Sequence, residues 1–332
     1  MSKTTSSTLP PTRDVVGVGN ALVDIIAQVP ESYLHDHQLE KGSMALVDTD
    51  RALALHGTLT NVVQTSGGSA ANTMCGIASL GGSATFIGKV ASDELGATFG
   101  RDLESIGVQF IPGKHLDGVA TGRCIIAVTP DAQRTMSTYL GISSLLTPHD
   151  IDEEIVASGQ IVYLEGYLYD QPEAKQAFRT AANVAHSVGR RVSFTLSDAF
   201  CVDRHRDDFH SLISDEVDIL FGNEAELEAL YQTDVFATAV ASLRQDCEFA
   251  IITRSEKGSV VVTHGEILEV PAHRVAEVVD TTGAGDLFAA GFLYGFTRNM
   301  PLQQCAIIGA IAAAEIISHM GPRPLVPLHN LI

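Results

Sequence analysis

The chain of 332 residues contains no tryptophan and only 21 basic residues against 40 acidic ones. No apolar run approaches the roughly 20 residues that a bilayer-spanning helix needs, so we expect no membrane partner. The formal net charge of −19 repels phosphate backbones and anionic lipids. These deficits argue against nucleic acids and membranes as partners.

Cysteine is sparse and shows no functional spacing. Its five positions are odd in number and far apart: Cys75, Cys124, Cys201, Cys247 and Cys305. No pair has the short spacing of a zinc or redox motif, which predicts reduced, mostly buried thiols. The first dozen residues, MSKTTSSTLPPT, lack the apolar stretch of a secretory signal and predict a disordered tail over 1–12. We therefore expect a cytoplasmic protein.

Short β-branched runs alternate with helix-like stretches along most of the chain. The predicted strands are VVGVG near 15–19, ATFIGKV at 84–90, QIVYLEG at 160–166, RVSFTL at 191–196, DILFG at 218–222 and FAIITR at 249–254. Ala-rich segments of helical period lie at 69–80, 173–188 and 286–297. Such alternation, with nearly all-apolar strands, is typical of an α/β fold with a parallel sheet covered on both faces.

Two regions, 25–50 and 108–140, interrupt this alternation. They contain polar/apolar alternating runs such as TGRCIIAVT and RTMSTYL, which favour half-exposed antiparallel strands. Because a strand–helix segment separates them, we predict that they pair as a small lid sheet inserted into one domain spanning 13–332.

The most specific signal is the segment DTTGAGD at 280–286, which an apolar helical run follows directly. Its Gly-Ala-Gly turn lets a ligand approach the backbone closely. The free N–H groups and dipole of the helix stabilise an anion there. A carboxylate at Asp286 can then accept a hydroxyl proton as that hydroxyl attacks a phosphoryl group. The alternative is that Asp286 only caps the helix.

Two further clusters present hydrogen-bonding groups. The segment GGSAAN at 67–72 opens an Ala-rich helix and forms a shelf where backbone N–H groups and the Asn72 amide can reach sugar hydroxyls. In GNALVD at 19–24, a continuous strand would place Asn20, Leu22 and Asp24 on one face, where the carboxylate can accept from both hydroxyls of a diol. The alternatives are a loop that only permits helix packing and an ordinary strand-end turn.

Three other features have both a structural and a functional interpretation. Asn223 with Glu226 forms a capping box by spacing, and the same pair can organise the water shell of a magnesium–phosphate complex. The segment TRSEKG at 253–258 is either a hairpin turn or a nucleotide-contacting loop. Arg134, in a candidate lid strand, is either a clamp on the transferred phosphate or a solvated surface charge.

Together these segments resemble the ribokinase-like (PfkB) family of carbohydrate and nucleoside kinases, over residues 14–326. DTTGAGD is similar to the C-terminal signature of the family and GGSAAN to its N-terminal signature. The resemblance implies a doubly wound, mostly parallel sheet with an inserted β-sheet lid. It also implies ATP as the donor, Mg²⁺ as the cofactor, a primary hydroxyl as the acceptor, and a monomer or homodimer.

The resemblance also implies residue roles. Asp286 is the base; Gly283, Ala284 and Gly285 form the anion hole; Arg134 closes from the lid; Asn20, Asp24, Gly67, Gly68, Ser69 and Asn72 hold the sugar; Asn223 and Glu226 serve the metal and phosphates; and Thr253, Gly258 and Thr282 contact the nucleotide. In members that bind a monovalent cation, its site lies near the positions of Asp280 and Thr282. Two residues depart from the family pattern, Leu325 at an often polar position and Ser255 at an often glycine position.

The opening GNALVD is similar to the adenosine-kinase branch, in which the residue matching Leu22 touches the base. Five further residues fall near positions that wall the nucleobase in that branch: Met44, Leu46, Tyr139, Tyr167 and Leu168. Aromatic and soft apolar walls suit a purine, so we expect transfer to the 5′-hydroxyl of a purine nucleoside. The alternative for these five residues is hinge core.

Three alternative functions remain open at this level. A ribose- or fructose-type sugar kinase is the alternative within the family. A dinucleotide oxidoreductase is suggested by Gly17-Val18-Gly19, although Leu22 stands where the third glycine belongs. A non-catalytic nucleoside sensor would need no base, which the presence of Asp286 disfavours.

Overall fold

The computed structural model describes residues 10–131 and 133–332. The predicted tail over 1–12 lies outside the described residues, except for its last three. The strands are β1 (Arg13–Val18), β2 (Leu22–Gln28), β3 (Met44–Leu46), β4 (Val63–Gly67), β5 (Ala84–Gly88), β6 (Gln109–Pro112), β7 (Gly122–Val128), β8 (Arg134–Tyr139), β9 (Gly159–Glu165), β10 (Arg191–Thr195), β11 (Ile219–Asn223), β12 (Phe249–Thr253), β13 (Ser259–Thr263) and β14 (Ile267–Val270). The α-helices are α1 (Glu31–Asp36), α2 (Thr49–Thr58), α3 (Ser69–Ser79), α4 (Glu94–Ile106), α5 (Glu153–Ser158), α6 (Pro172–Ser187), α7 (Ala199–Glu216), α8 (Glu224–Tyr231), α9 (Phe236–Asp246), α10 (Ala284–Thr297) and α11 (Leu302–Ile317).

The large sheet has nine strands in the order β14-β13-β12-β11-β10-β9-β1-β5-β6. Its pairings from β6 to β12 are parallel, and β13 and β14 add an antiparallel edge. From β1 the chain winds outward to β5 and β6, and then returns to β9 on the other side of β1. The six predicted strands all belong to this sheet, and the predicted α/β doubly wound architecture is confirmed.

Helices cover both faces of the large sheet because its strands are apolar on both sides. Val16 and Leu164 pack into one core with α6, α7, α8 and α9. Their neighbours Val15 and Tyr163 pack into the opposite core with α3, α4, α10 and α11. Successive residues of a strand point to opposite faces, so a sheet buried on both sides requires continuous apolar runs such as these.

The second sheet has five strands in the order β3-β8-β7-β2-β4. We call it the lid sheet. Three details correct the predicted lid. Strand β4, at 63–67, lies outside both predicted segments, and β6, at 109–112, pairs with β5 in the large sheet instead. In the lid sheet, two of the four strand pairings, β2 with β7 and β3 with β8, are parallel, whereas antiparallel strands were predicted. The chain reaches β7 only after the long excursion through β5 and β6, which permits parallel pairing.

The strand predicted to run through 19–24 is also corrected. Strand β1 ends at Val18, and the chain crosses at 19–21 into the lid sheet, where β2 begins at Leu22. A side chain at Gly19 would place its Cβ 2.5 Å from Oε2 of Glu165, so only glycine fits at the crossing. This crossing connects the two sheets directly beside the site described below.

Small residues bring α3 and α10 into close contact. A Cβ on Gly76 of α3 would lie 2.6 Å from Cβ of Ala290 in α10, and one on Gly291 would lie 2.7 Å from the backbone of Gly309 in α11. The N-terminal ends of α3 and α10, which carry both signature segments, also meet, because Ser69 and Asn72 hydrogen-bond Asp286 at one edge of the large sheet.

All five cysteines are free and buried, as predicted. Among the described residues, no helix is both long enough and apolar enough to cross a membrane.

Candidate active site

A cavity of about 790 Å³ separates the lid sheet from the carboxyl-terminal edge of the large sheet. Residues at or just beyond the ends of β1, β9, β10, β11 and β12 line it, together with the first turns of α3 and α10. The winding direction of the sheet changes between β1 and β9, and the crevice at such a switch point is the usual ligand site of open α/β sheets. The cavity volume suits a ligand of nucleoside size or larger.

Asp286 lies in the first turn of α10 and faces the shelf at 67–72. Its carboxylate accepts hydrogen bonds from Oγ of Ser69 at 2.6 Å and from Nδ2 of Asn72 at 2.8 Å. The helix is preceded by Gly283, whose φ of 79° is in the left-handed region, and none of the described side chains caps it. The capping alternative for Asp286 is therefore wrong, and the carboxylate is held across the cavity floor instead.

The electrostatic state of Asp286 reflects opposing effects. Burial raises the pKa of Asp286, whereas the hydrogen bonds from Ser69 and Asn72 and the nearby charge of Arg323 lower it. Gly285 precedes Asp286 in the chain. A Cβ placed on Gly285 would meet none of the described atoms within 4 Å, so the backbone at this position borders open space. The backbone of residues 283–285 and the carboxylate of Asp286 therefore line the same cavity.

The glycine pair at 67–68 is required by its contacts. Gly68 has φ of 95°, and a Cβ there would lie 2.2 Å from the carbonyl oxygen of Asn20. Gly67 ends β4, and its Cβ would lie 2.5 Å from Oδ1 of Asp24. Gly68, Ser69 and Asn72 line the cavity, whereas Gly67 lies behind Asp24 and makes room for its carboxylate.

Asn20, Leu22 and Asp24 all line the cavity, although Asn20 lies in the crossing before β2 and only Leu22 and Asp24 belong to that strand. Asp24 is buried, and among the described residues no donor hydrogen-bonds its carboxylate. Burial raises the pKa of Asp24 to about 6, an effect that the charges of Arg323 and Arg134 oppose. A buried carboxylate without a protein donor is costly unless a ligand supplies hydrogen bonds.

Glu165 was missed at the sequence level, although it borders the cavity and is fully buried. Its carboxylate accepts from the backbone N–H and the Nδ2 of Asn20, at 2.7 and 2.9 Å, and from the backbone N–H of Ala70 at 2.7 Å. Oδ1 of Asn20 in turn accepts from Oγ of Ser143. Burial raises the pKa of Glu165 to about 7. The sequence did contain a signal for this residue, because an acidic side chain ends the apolar run QIVYLEG.

The lid supplies apolar walls. Met44 and Leu46 line the cavity and are 41% and 54% exposed. Tyr167 also lines it and donates from its hydroxyl to the carbonyl of Ser197 at 3.2 Å. Phe200, which the sequence analysis missed, lines the cavity with 76% of its surface exposed. An aromatic residue at the start of α7 carries no motif, so the sequence offered no signal for it.

Two predicted base-pocket residues do not reach the cavity. Tyr139 is on the opposite face of β8 from Met136 and Thr138, which line the cavity. Leu168 is 1% exposed and packs in the core. It follows Tyr167 in the 3₁₀ helix Gly166–Asp170, where adjacent residues point in different directions and only one of them can face the cavity.

The predicted nucleotide-side residues are placed unequally. Asn223 and Glu226 line the cavity and form a reciprocal capping box at the start of α8, so that structural interpretation is confirmed. Burial, together with the charges of other cavity carboxylates, raises the pKa of Glu226 to about 7. Thr253 and Thr282 line the cavity, whereas Gly258 lies in the turn between β12 and β13, outside it.

Arg134 joins the lid sheet to the segment 280–286. Its Nη1 donates to Oδ2 of Asp280 at 2.7 Å and to the hydroxyl of Thr282. Its Nε and Nη2 are buried and have no hydrogen-bond partner in the part of the chain that the structure describes. Arg134 is therefore not a solvated surface charge, whereas its role as a clamp on the transferred phosphate stays a prediction. Its guanidinium pairs with the carboxylate of Asp280, near which the resemblance places a monovalent cation.

Arg323, which no motif contains, lies directly behind the shelf. Its Nη1 donates to Oδ1 of Asn72 at 2.6 Å. Its Nη2 donates to the carbonyl and hydroxyl oxygens of Ser66 at 2.6 and 2.7 Å. Arg323 belongs to the segment GPRP at 321–324, a few residues after α11. Because this segment is far along the chain from both signatures, the sequence alone did not indicate these contacts.

The dinucleotide interpretation of Gly17-Val18-Gly19 is not supported by the fold. Gly17 lies inside β1, and Gly19 lies at the crossing into β2. A dinucleotide fingerprint needs a glycine-rich turn that opens a helix, whereas here a strand follows.

Comparison with known proteins was consistent with this geometry. Residues 42–328 match the family described as pfkB family carbohydrate kinase. The solved structure of adenosine kinase from Sinorhizobium meliloti is 48% identical, with a TM-score of 0.90, covering 96% of this chain and 98% of that one. A probable sugar kinase protein from Rhizobium etli CFN 42 is 45% identical, with the same TM-score, covering 96% and 97%.

Curated relatives are more distant and differ in their substrates. Adenosine kinase of Saccharomyces cerevisiae is 27% identical over 334 residues, covering 94% of this chain and 96% of the relative. A 5-dehydro-2-deoxygluconokinase of Geobacillus kaustophilus is also 27% identical, over 265 residues, covering 76% and 78%. Family and fold agree in these matches while acceptors vary. The chain belongs to the pfkB family of carbohydrate kinases and is a phosphotransferase that acts on an alcohol group.

Proposed function

We propose that the protein transfers the γ-phosphoryl group of ATP to the 5′-hydroxyl of a purine nucleoside, with Asp286 as the general base. The observation that carries this proposal is the position of Asp286 in the first turn of α10, opposite the polar shelf and inside a cavity with an apolar far wall. A kinase for an alcohol needs a base beside the hydroxyl and an anion-stabilising helix start beside the phosphate.

In the proposed reaction, Asp286 accepts the proton of the 5′-hydroxyl as its oxygen bonds to the γ-phosphorus. The bond from that phosphorus to the β–γ bridging oxygen breaks, and ADP leaves with the electron pair. Asp286 must be ionised to accept the proton, and the donors Ser69 and Asn72 favour that form. The backbone at 283–285 is placed to stabilise charge on the transferred group.

The polar end of the cavity suits a ribose. Asp24 is buried and has no hydrogen-bond donor among the described residues, so the 2′- and 3′-hydroxyls of a ribose can both donate to its carboxylate. Asn20 lies beside it, and Glu165 holds the Asn20 amide in one orientation. A nucleoside bound in this way satisfies a carboxylate whose burial is otherwise unfavourable.

The apolar end suits a nucleobase. Met44 and Leu46 of the lid and Phe200 of α7 expose large apolar surfaces to the cavity. Flat aromatic ligands gain from stacking and from adaptable thioether contacts. A free sugar would leave this wall uncovered.

The donor end fits a magnesium–triphosphate complex. Asn223 and Glu226 would hold Mg²⁺ through water, because among the described residues no three carboxylate, histidine or cysteine side chains are grouped to bind a metal directly. The pKa of Glu226 is raised in part by Asp198 and Asp286, and a bound cation relieves such repulsion. Mg²⁺, when bound, neutralises phosphate oxygens. Two nitrogen atoms of Arg134, Nε and Nη2, are buried without hydrogen-bond partners among the described residues, and with them Arg134 can meet the transferred phosphate.

A substrate panel tests the acceptor. We expect a higher kcat/KM, measured by ADP release, with adenosine, inosine or guanosine than with ribose, fructose or 5-dehydro-2-deoxygluconate. The compound 5′-deoxyadenosine should compete with the nucleoside without being phosphorylated, because it lacks the hydroxyl that Asp286 deprotonates. Turnover of a free sugar with none of any nucleoside would refute the nucleoside acceptor but leave the kinase assignment intact.

A carbohydrate kinase is the second candidate. It is favoured by the probable sugar kinase at 45% identity and by the 5-dehydro-2-deoxygluconokinase among the relatives. The deciding residues are Leu46 and Phe200, because their removal should weaken nucleoside binding and leave sugar turnover nearly unchanged.

A further inference from the structure

Arg323 contacts the proposed base only through an intermediate residue. Its Nη1 donates to Oδ1 of Asn72 at 2.6 Å, and Nδ2 of the same amide donates to Oδ2 of Asp286 at 2.8 Å. The Asn72 amide is therefore fixed from both sides. Without Arg323 the amide could rotate and turn its oxygen toward the carboxylate, which would replace an attraction with a repulsion.

A second nitrogen of Arg323, Nη2, fixes the lid strand beside the shelf. Its Nη2 donates to the carbonyl and hydroxyl oxygens of Ser66 in β4. The Ser66 backbone N–H donates to Asp102 of α4 at 2.7 Å. One guanidinium thus connects the C-terminal loop, the lid sheet and the shelf helix at the point where Gly67 and Gly68 follow.

The neighbours of Arg323 contact the anion-hole segment. The backbone N–H of Gly321 donates to Oδ2 of Asp280 at 2.9 Å. A Cβ on Gly283 would lie 3.1 Å from Cβ of Pro322. The segment 321–323 therefore supports both Asp280 and the turn before α10, while its arginine reaches across to Asn72.

The charges around Asp286 explain why a cation here matters. Acidic groups face it from three other elements, namely Asp24 of β2, Glu165 of β9 and Glu226 of α8, and each has a raised pKa to which Asp286 contributes. The phenols of Tyr163 and Tyr167 also face it, and the charge of Asp286 raises the pKa of each.

Arg323 opposes this accumulation of negative charge. Its charge lowers the pKa of both Asp286 and Asp24, whereas of these two carboxylates Arg134 lowers the pKa of Asp24 alone.

We propose that Arg323 is a positioning residue for phosphotransfer: it orients the Asn72 amide toward Asp286 and places a fixed positive charge behind that carboxylate. This inference rests on the function proposed above. The inference goes beyond the proposed function because Arg323 does not line the cavity and acts on the reacting groups only through Asn72 and through the electrostatic effect of its charge.

The test compares Arg323→Met, Arg323→Gln and Arg323→Lys with the wild type. Arg298→Met is the matched control, because Arg298, like Arg323, donates to a side-chain oxygen and to a backbone carbonyl, here those of Asp14 and Tyr294, but does so away from the cavity. For each protein, kcat and KM for the acceptor and for ATP are measured from pH 5 to pH 9, with circular dichroism and thermal unfolding as folding checks.

We expect the two neutral variants to lose roughly 10- to 100-fold in kcat with little change in KM for ATP. The acid limb of kcat/KM should move upward by roughly half to one pH unit, because a nearby positive charge favours the ionised form of Asp286. Arg323→Lys should keep the limb near its wild-type position while losing part of kcat, since one ammonium cannot satisfy both Asn72 and Ser66. Arg298→Met should match the wild type.

A double-mutant cycle with Asn72→Ala checks the relay. If Arg323 acts through Asn72, its loss should cost much less kcat in the Asn72→Ala background than in the wild type. Additive losses, or folded neutral variants whose acid limb stays at the wild-type pH, would overturn the inference alone. A wild type that phosphorylates no acceptor in the panel would instead refute the proposed function, and this inference with it.

Discussion

Replacing Asp286 with asparagine removes the proposed base while preserving the shape of the side chain. The structure suggests that the hydrogen-bond network survives this change. Nδ2 of Asn72 can still donate to an amide oxygen at position 286, and the hydroxyl of Ser69 can rotate to accept from the new amide nitrogen. The variant should therefore fold and keep its cavity.

The expected loss is catalytic. A positioned general base contributes roughly 10²- to 10⁴-fold, which corresponds to about 3 to 5 kcal/mol of transition-state stabilisation. Because Asp24 and Asn20 are the proposed ribose contacts, we expect KM for the nucleoside to change little. Removing a buried carboxylate should leave the free energy of unfolding near pH 8 equal or slightly higher, since burial raises the pKa of Asp286.

The assay is steady-state ADP release coupled to NADH oxidation, with single-turnover measurements to isolate the phosphotransfer step. Asp208→Asn is a matched control, because Asp208 forms a partly exposed ion pair with Lys175 on the surface. That control should retain wild-type kcat. An Asp286→Asn variant with a kcat within a factor of three of the wild type would refute the role of this carboxylate as base.

Three further perturbations follow from the geometry. Gly68→Ala should lower the free energy of unfolding by at least roughly 2 kcal/mol, because its Cβ would lie 2.2 Å from the carbonyl of Asn20. Gly81→Ala is the control: Gly81 has φ of 86°, and no described atom lies within 4 Å of its Cβ position, so this change should lower the free energy of unfolding only by the backbone strain. Equal melting temperatures for the two variants would contradict this reasoning. Asp24→Asn should raise KM for the nucleoside roughly 100-fold. Because the pKa of Asp24 is raised to about 6, wild-type stability should fall relative to this variant as pH rises from about 4 to 7, and a pH-independent difference in denaturant midpoints would count against it. Leu46→Ser should raise KM for adenosine several-fold while leaving KM for ATP unchanged, and unchanged competition by adenosine analogues would exclude Leu46 from the base site.

Several parts of this architecture could be predicted from the chain alone. Continuous apolar runs such as those of β1 and β9 can be buried only on both sides, so they specify a parallel sheet covered by helices. The segment at 280–286 combines a glycine-containing turn, an apolar helix and an acidic residue, and that combination is local enough to predict its own geometry. Asn223 and Glu226 likewise predict their capping box from spacing alone.

Contacts between distant segments were decided only by the tertiary structure. The orientation of Tyr139 depends on the register of β8 in the lid sheet, and a shift of one residue reverses the face of every side chain. Leu168 and Tyr167 are neighbours in sequence, but the turn of a short 3₁₀ helix places only one of them in the cavity.

Three charged residues show the same division most clearly. Glu165 and Arg323 belong to no motif, and Arg134 has a partner more than 140 positions away. The sequence determines which residues can carry charge and which segments form strands and helices. Only folding determines which charges are buried next to one another, because burial and distance, rather than residue type, set the strength of an electrostatic interaction.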